Sequence, residues 1–157
     1  MRSGERTMRG RRRHGWALAL FAALGCFGGG DAPPELCFSL EAARDLHFYD
    51  GQPHSLALFV YPLGSERGID QSMASEFLDG DPPVEVLEQR YEVVVTPGER
   101  RRFDQVLPRG TAQIVVIADY YRRPGDPPGK RLASLEPRCG SLFRPTLVLS
   151  ASELRLE

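Results

Sequence analysis

Apolar positions along the chain fall into short stretches separated by turn formers. Leu36-Cys37-Phe38-Ser39-Leu40-Glu41-Ala42 alternates with period two, the pattern of a strand with one face in a core. Leu56 to Tyr61, Val93 to Val95, Ile114 to Ala118 and Leu147 to Leu149 are instead continuous apolar runs. They are rich in β-branched residues and bounded by Pro, Gly or charge, so they read as strands apolar on both faces or nearly so. Two weaker strands are Arg100 to Val106, which alternates basic residues with Phe103 and Gln105, and Arg131 to Pro137. Leu154 and Leu156 extend the last strand. With Asp-Gly, Thr-Pro-Gly and Pro-Arg-Gly between them, seven or eight such strands predict an antiparallel β-sandwich over residues 35–157. One segment has another period. Ile69, Met73 and Phe77 fall at i, i+4 and i+8 between Asp70 and Asp79-Gly80, which predicts a helix of about ten residues with an apolar stripe. Since several strands are apolar on both sides, two sheets alone would leave one such face wet, and this helix is the candidate lid.

The first 25 residues follow a different rule. Four arginines between Arg9 and Arg13 precede nine apolar residues, Trp16 to Leu24, and then Gly25-Cys26. A charged region, a short apolar region and a small residue at a cut make residues 1–25 an export signal. Nine helical residues cover roughly 13 Å, less than half of the roughly 30 Å hydrocarbon core, which argues against a spanning anchor. Gly25-Cys26 resembles the bacterial lipobox, in which the Cys is acylated and becomes the new first residue; a plain secretory signal with a free Cys26 is the alternative. Phe27 stands where bacterial lipoproteins retained at the inner membrane usually carry Asp, so the resemblance points to the outer membrane. Residues 26–34, with Gly28-Gly29-Gly30, read as a flexible tether between lipid and fold.

Composition narrows the function classes. The chain of 157 residues is 41% hydrophobic and 26% charged, ordinary for one globular domain. Its net charge of −1 hides an asymmetry, because six of the 20 basic residues but only Glu5 of the 21 acids precede Cys26, leaving −6 from Cys26 onward. That sign lacks the basic footprint of a nucleic-acid binder, or of a domain held to anionic lipid by its own charge. If Cys26 is lipidated, the other two cysteines, Cys37 and Cys139, are left either as a disulfide in an oxidising compartment or as two separate buried thiols. A bond closing a loop of about 100 residues contributes on the order of 4–5 kcal/mol in the chain-entropy model.

Candidate chemistry is sparse. His47 and His54 lie within ten residues of Asp45 and Asp50, a set that could bind a metal, but its loose spacing reads better as a surface loop with turn hydrogen bonds, and no metal is assigned. There is no Gly-x-Ser-x-Gly, no phosphate-cradling loop and no Cys-x-x-Cys, so neither catalysis nor a cofactor is expected. Arg100-Arg101-Arg102 is either an anion site or a solvated edge that discourages sheet pairing, and Pro124 to Gly129 reads as a long turn. More informative is the loop with Leu46, Phe48 and Tyr49 between Asp45 and Asp50. Three large apolar side chains there either tuck under the sheet end or form an exposed patch for a partner.

In order along the chain, the lipobox at Cys26, Ala43-Arg44-Asp45-Leu46, Gly51-Gln52-Pro53-His54, Leu56 to Leu63, Phe77-Leu78-Asp79, Val93 to Glu99 and Ala112 to Arg122 resemble the TssJ outer-membrane lipoproteins of the type VI secretion system. Two positions depart from the family pattern: His47 replaces the usual Asn of the first loop, and Lys130-Arg131 stands where Trp-Arg is expected. The resemblance implies a transthyretin-like antiparallel β-sandwich with one short added helix, lipid-anchored at the periplasmic face of the outer membrane. It also implies binding to the periplasmic part of the inner-membrane protein TssM, within the type VI membrane complex. In the family the loop between the first two strands takes part in that contact, which nominates Leu46, His47, Phe48, Tyr49 and Asp50. The competing reading is a transthyretin-like lipoprotein that binds a small molecule or glycan in a concave pocket between sheet and helix.

Overall fold

The strand β1 (Glu35–Ala42) sends Leu36, Phe38, Leu40 and Ala42 into the core, as its period demands, and pairs on one side with β4 (Arg100–Val106). The computed structural model describes residues 32–87, 90–121, 129–140 and 144–157. The export signal, Cys26, most of the tether and Pro124 to Pro128 therefore lie outside the described residues. The other strands are β2 (Leu56–Leu63), β3 (Tyr91–Val95), β5 (Gln113–Asp119), β6 (Lys130–Leu135), β7 (Thr146–Leu149) and β8 (Leu154–Leu156). They form two four-stranded sheets, ordered β4-β1-β7-β8 and β3-β2-β5-β6. The inner faces meet in one core that includes Leu58 and Val60 of β2, Ile114 and Val116 of β5, and Leu147 and Leu149 of β7. The expected β-sandwich is the fold observed.

Four details differ from the sequence reading. β1 and β7 run parallel, while every other pairing is antiparallel, because β7 enters its sheet after the chain has crossed over from β6. Leu154 and Leu156 do not extend β7. A turn closed by Ser150 N–H to Glu153 C=O at 3.0 Å reverses the chain, and β8 pairs back on β7. Val94 is exposed, so β3 is apolar toward one sheet face only; it is an edge strand with no layer over its outer side there. The helical segment is composite, a 3-10 turn (Gln71–Met73) running into α1 (Ala74–Asp79). Asp70 caps it by accepting from Ser72 N–H at 2.8 Å, and Gly80, at φ +89°, closes it in the left-handed region that glycine enters without strain.

This segment covers the doubly apolar strands. Phe59, Tyr61 and Leu63 of β2 and Val115 and Ile117 of β5 point away from the inter-sheet core and bury Ala74 and Phe77 in a second cluster. Tyr61 keeps its polar end satisfied by donating to the Phe77 carbonyl at 3.0 Å. The side chains of this cluster pack between sheet and helix. Gln71 also caps the edge of β6: its carbonyl oxygen accepts from Leu132 N–H at 3.0 Å and its amide donates to the Lys130 carbonyl. Two backbone groups that would otherwise template another strand are thereby used up. On the opposite side, the arginines of β4 form a solvated edge. Arg100 lies 3.7 Å from Glu41, while Arg101 lies 3.2 Å from Glu99 and donates to the Val94 carbonyl at 3.3 Å.

At the start of β1, Cys37 and Cys139 are bonded, 102 residues apart in sequence with Cα atoms 4.9 Å apart. Cys37 is buried even though it lies on the outer side of its sheet, because the segment carrying Cys139 is held against it.

Candidate functional site

Where β1 ends, the chain makes a tight loop, residues 43–55, before β2 begins. Its base is built into the sandwich. Ala43 donates to Leu149 at 2.8 Å, Gly98 of the β3–β4 turn donates to Ala43 at 3.1 Å, and His54 donates to Leu46 at 3.1 Å. Leu46 is fully buried in the inter-sheet core, so of the two outcomes the sequence left open it takes the inward one. His47, 9% exposed, also faces inward. Its backbone sits at φ +48°, a region that His and Asn tolerate better than most residues.

Two backbone partners fix the His47 ring. A hydrogen bond of 2.9 Å joins Nδ1 to the Ser55 carbonyl, and Tyr121 N–H donates to Nε2 at 2.6 Å. A carbonyl only accepts and an amide N–H only donates, so Nδ1 carries the hydrogen and Nε2 the lone pair. Both nitrogens that a metal would use are thus engaged by the protein itself, and the second histidine, His54, directs Nε2 at the Tyr49 carbonyl, 3.3 Å away.

Beyond His47 the chain forms a two-residue hairpin. Tyr49 and Gln52 exchange both backbone hydrogen bonds at 3.1 Å, and Asp50 and Gly51 between them have φ of +51° and +82°. These are the signs required by a type I′ turn, for which Asp-Gly is a preferred pair. The Tyr49 ring lies 3.7 Å from that of His54, nearly parallel to it, and 4.6 Å from that of Tyr121. Phe48 is left 49% exposed on this loop, and Tyr121, against Tyr49, is 54% exposed. Asp45 and Asp50 are exposed on the same loop, and Asp119 at the end of β5. The tip is therefore a small aromatic surface with acidic neighbours, held from below by hydrogen bonds to the sheet ends.

Of the five nominated residues, Phe48 and Asp50 reach the surface, Tyr49 is half-buried, and Leu46 and His47 support them from inside. Sequence reasoning missed Tyr120 and Tyr121. Tyr120 is buried, packs edge-on to His47 with ring centroids 5.6 Å apart, and donates its hydroxyl to the Glu153 carbonyl at 2.6 Å. Burial pushes its ionisation well above the usual tyrosine range. The one available signal was the Tyr-Tyr pair directly after the apolar run of β5, and its relevance depends on a strand order that local patterns do not disclose.

No known family's sequence profile matches the chain, and no curated protein matches it. Solved structures do. The type VI secretion lipoprotein TssJ1 from Pseudomonas aeruginosa is 22% identical with a TM-score of 0.57, the match covering 80% of this chain and 95% of that one. Lip from Serratia marcescens, a membrane-bound component of the type VI secretion system, is 18% identical with a TM-score of 0.56, over 80% and 96% of the two chains. A chain in the structure of the type VI secretion protein TssM C-terminal domain from EAEC is 16% identical with a TM-score of 0.58, over 79% and 98%. The eight-stranded sandwich with its added helix is thus a TssJ-like fold, shared over nearly the whole length of the solved lipoproteins.

Proposed function

We propose that this chain is a lipid-anchored, non-enzymatic assembly component of a type VI secretion membrane complex. In this reading residues 1–25 are removed, Cys26 is acylated, residues 26–34 tether the domain to the periplasmic face of the outer membrane, and the tip of the loop between β1 and β2 docks the periplasmic part of TssM. The observation that carries the reading is the likeness to TssJ1 and Lip over 95% and 96% of their lengths. The placement of the tip supports it. The tether leads into Glu35 and the loop leaves from Ala42, so the two are separated by the eight residues of β1, about 23 Å of strand. The tip thus lies at the end of β1 opposite to the one at which the chain enters the strand.

The mechanism is thermodynamic. Several acyl chains on one cysteine hold a protein effectively permanently, where a single chain holds it only reversibly. Confinement to a surface raises the effective concentration of the tip around a partner already in the envelope, which strengthens the contact without any new interaction. Phe48 supplies apolar area, and Asp45 and Asp50 supply the polar rim that orients it.

The test is fractionation together with mass analysis. The wild-type protein is expected in the outer-membrane fraction with an N-terminal peptide that begins at Cys26 and carries fatty-acid mass, and Cys26→Ser is expected as a folded soluble periplasmic protein. Retention of Cys26→Ser in the outer membrane, or an N-terminal peptide without acyl mass, would overturn the tethering.

A further inference from the structure

Taking the docking reading as its basis, we infer that His47 is a positioning residue that latches the loop after β1 to the end of β5 in one docking surface, so that Tyr121, just beyond β5, acts jointly with Phe48.

The ladder between β5 and β6 ends at Tyr120, whose N–H donates to the Gly129 carbonyl at 3.2 Å. The next N–H, that of Tyr121, turns instead to Nε2 of His47 at 2.6 Å, across 74 residues of sequence. The same imidazole holds its own loop through Ser55 at 2.9 Å. One rigid ring therefore stands in for a rung of sheet between two segments that, among the described residues, share no strand pairing. The consequence shows on the surface: Tyr49 and Tyr121 are brought into ring contact at 4.6 Å, and the two exposed aromatic side chains, Phe48 next to Tyr49 in sequence and Tyr121 itself, are carried by the two segments that the ring joins. A partner that seats on Phe48 meets Tyr121 already ordered, and so loses less conformational entropy on binding.

Gly129 adds to the constraint. A Cβ there would overlap the Tyr120 carbonyl, so the chain approaches too closely for any side chain, and the start of β6 fixes where Tyr121 begins.

The chemistry of the latch separates His from its nearest substitutes. An Asn side chain reaches about as far as Nδ1, so it can hold Ser55 and is at ease at positive φ, but it stops short of Tyr121. A Gln carbonyl reaches about as far as Nε2 and can accept from Tyr121 N–H.

The experiment uses the full lipidated chain in detergent. First, amide hydrogen exchange at Tyr121 is measured without any partner. Wild type and His47→Gln are expected to be protected, and His47→Asn and His47→Ala to exchange about tenfold faster, the loss of roughly one net hydrogen bond. Second, affinity for the TssM C-terminal domain is measured for Phe48→Ala, Tyr121→Ala and the double variant. In the wild-type background the double variant is expected to lose less than the product of the single losses; in the His47→Asn background the two losses are expected to multiply. Equal protection of Tyr121 in His47→Asn overturns the latch, and unchanged affinity in Tyr121→Ala where Phe48→Ala weakens binding overturns the shared surface. Unchanged affinity in Phe48→Ala overturns the docking reading, and the shared surface with it, whatever the exchange shows.

Discussion

Tyr120 stands at a point where burial and hydrogen bonding act on one oxygen. Its hydroxyl donates to Glu153 at 2.6 Å inside the sandwich end, and burial raises its ionisation above the ordinary tyrosine value. With the folded pKa above the unfolded one, the stability contributed by the neutral phenol is fully present below about pH 10 and is lost as the pH climbs beyond it. Tyr120→Phe is therefore expected to cost about 1 kcal/mol at neutral pH and to lessen the alkaline loss of stability; urea denaturation at pH 7 and 11 would check both, and an unchanged alkaline slope would refute the assignment. At this scale the sequence was a partial guide. It located an aromatic loop with turn residues at Asp50-Gly51, but it could not tell which side chains turn inward. Leu46 is drawn under the sheet end by the core, and His47 is directed by an amide 74 residues away, so two of the five nominated contacts became supports.

Single elements were easier to read than single side chains. The apolar runs of β2 and β5 are longer than one buried face requires, and that excess foretold a covering layer, which the Ile69–Met73–Phe77 stripe supplied. The energetic statement follows from burial. Phe77 is 1% exposed and packs on Tyr61 with ring centroids 5.1 Å apart. Phe77→Ala should therefore cost about 3–5 kcal/mol and uncover the outer face of the second sheet. Thermal unfolding with a dye that reports exposed apolar surface would measure both effects, and a loss under 1 kcal/mol would mean that the helix is not a true layer. What the pattern missed at this scale was backbone detail. Ser72 and Gln71 make side-chain and capping bonds that favour a tighter first turn, and the outer side of β3, beyond the reach of the helix, stays wet at Val94.

For the molecule as a whole, long-range partners decide the behaviour. The bond between Cys37 and Cys139 closes a loop of 102 residues, so reduction is expected to lower stability by on the order of 4–5 kcal/mol in the chain-entropy account. Denaturation midpoints with and without thiol, together with thiol counting, would test it, and an unaltered midpoint would show that the pairing carries no such weight. The parallel register of β1 on β7 and the approach of Tyr121 to the first loop were invisible locally, because both are set by strand order. Sandwich class, strand positions and the existence of a lid depend on period and composition, which the sequence displays directly. The claim that joins these scales is that an aromatic tip on a rigid sandwich end holds TssM. The most direct measurement is the affinity of the full chain for the TssM C-terminal domain with and without Phe48→Ala. The account predicts a loss of at least about tenfold, more than about 1.4 kcal/mol, with the thermal midpoint unchanged. Equal affinity for the two proteins would contradict it.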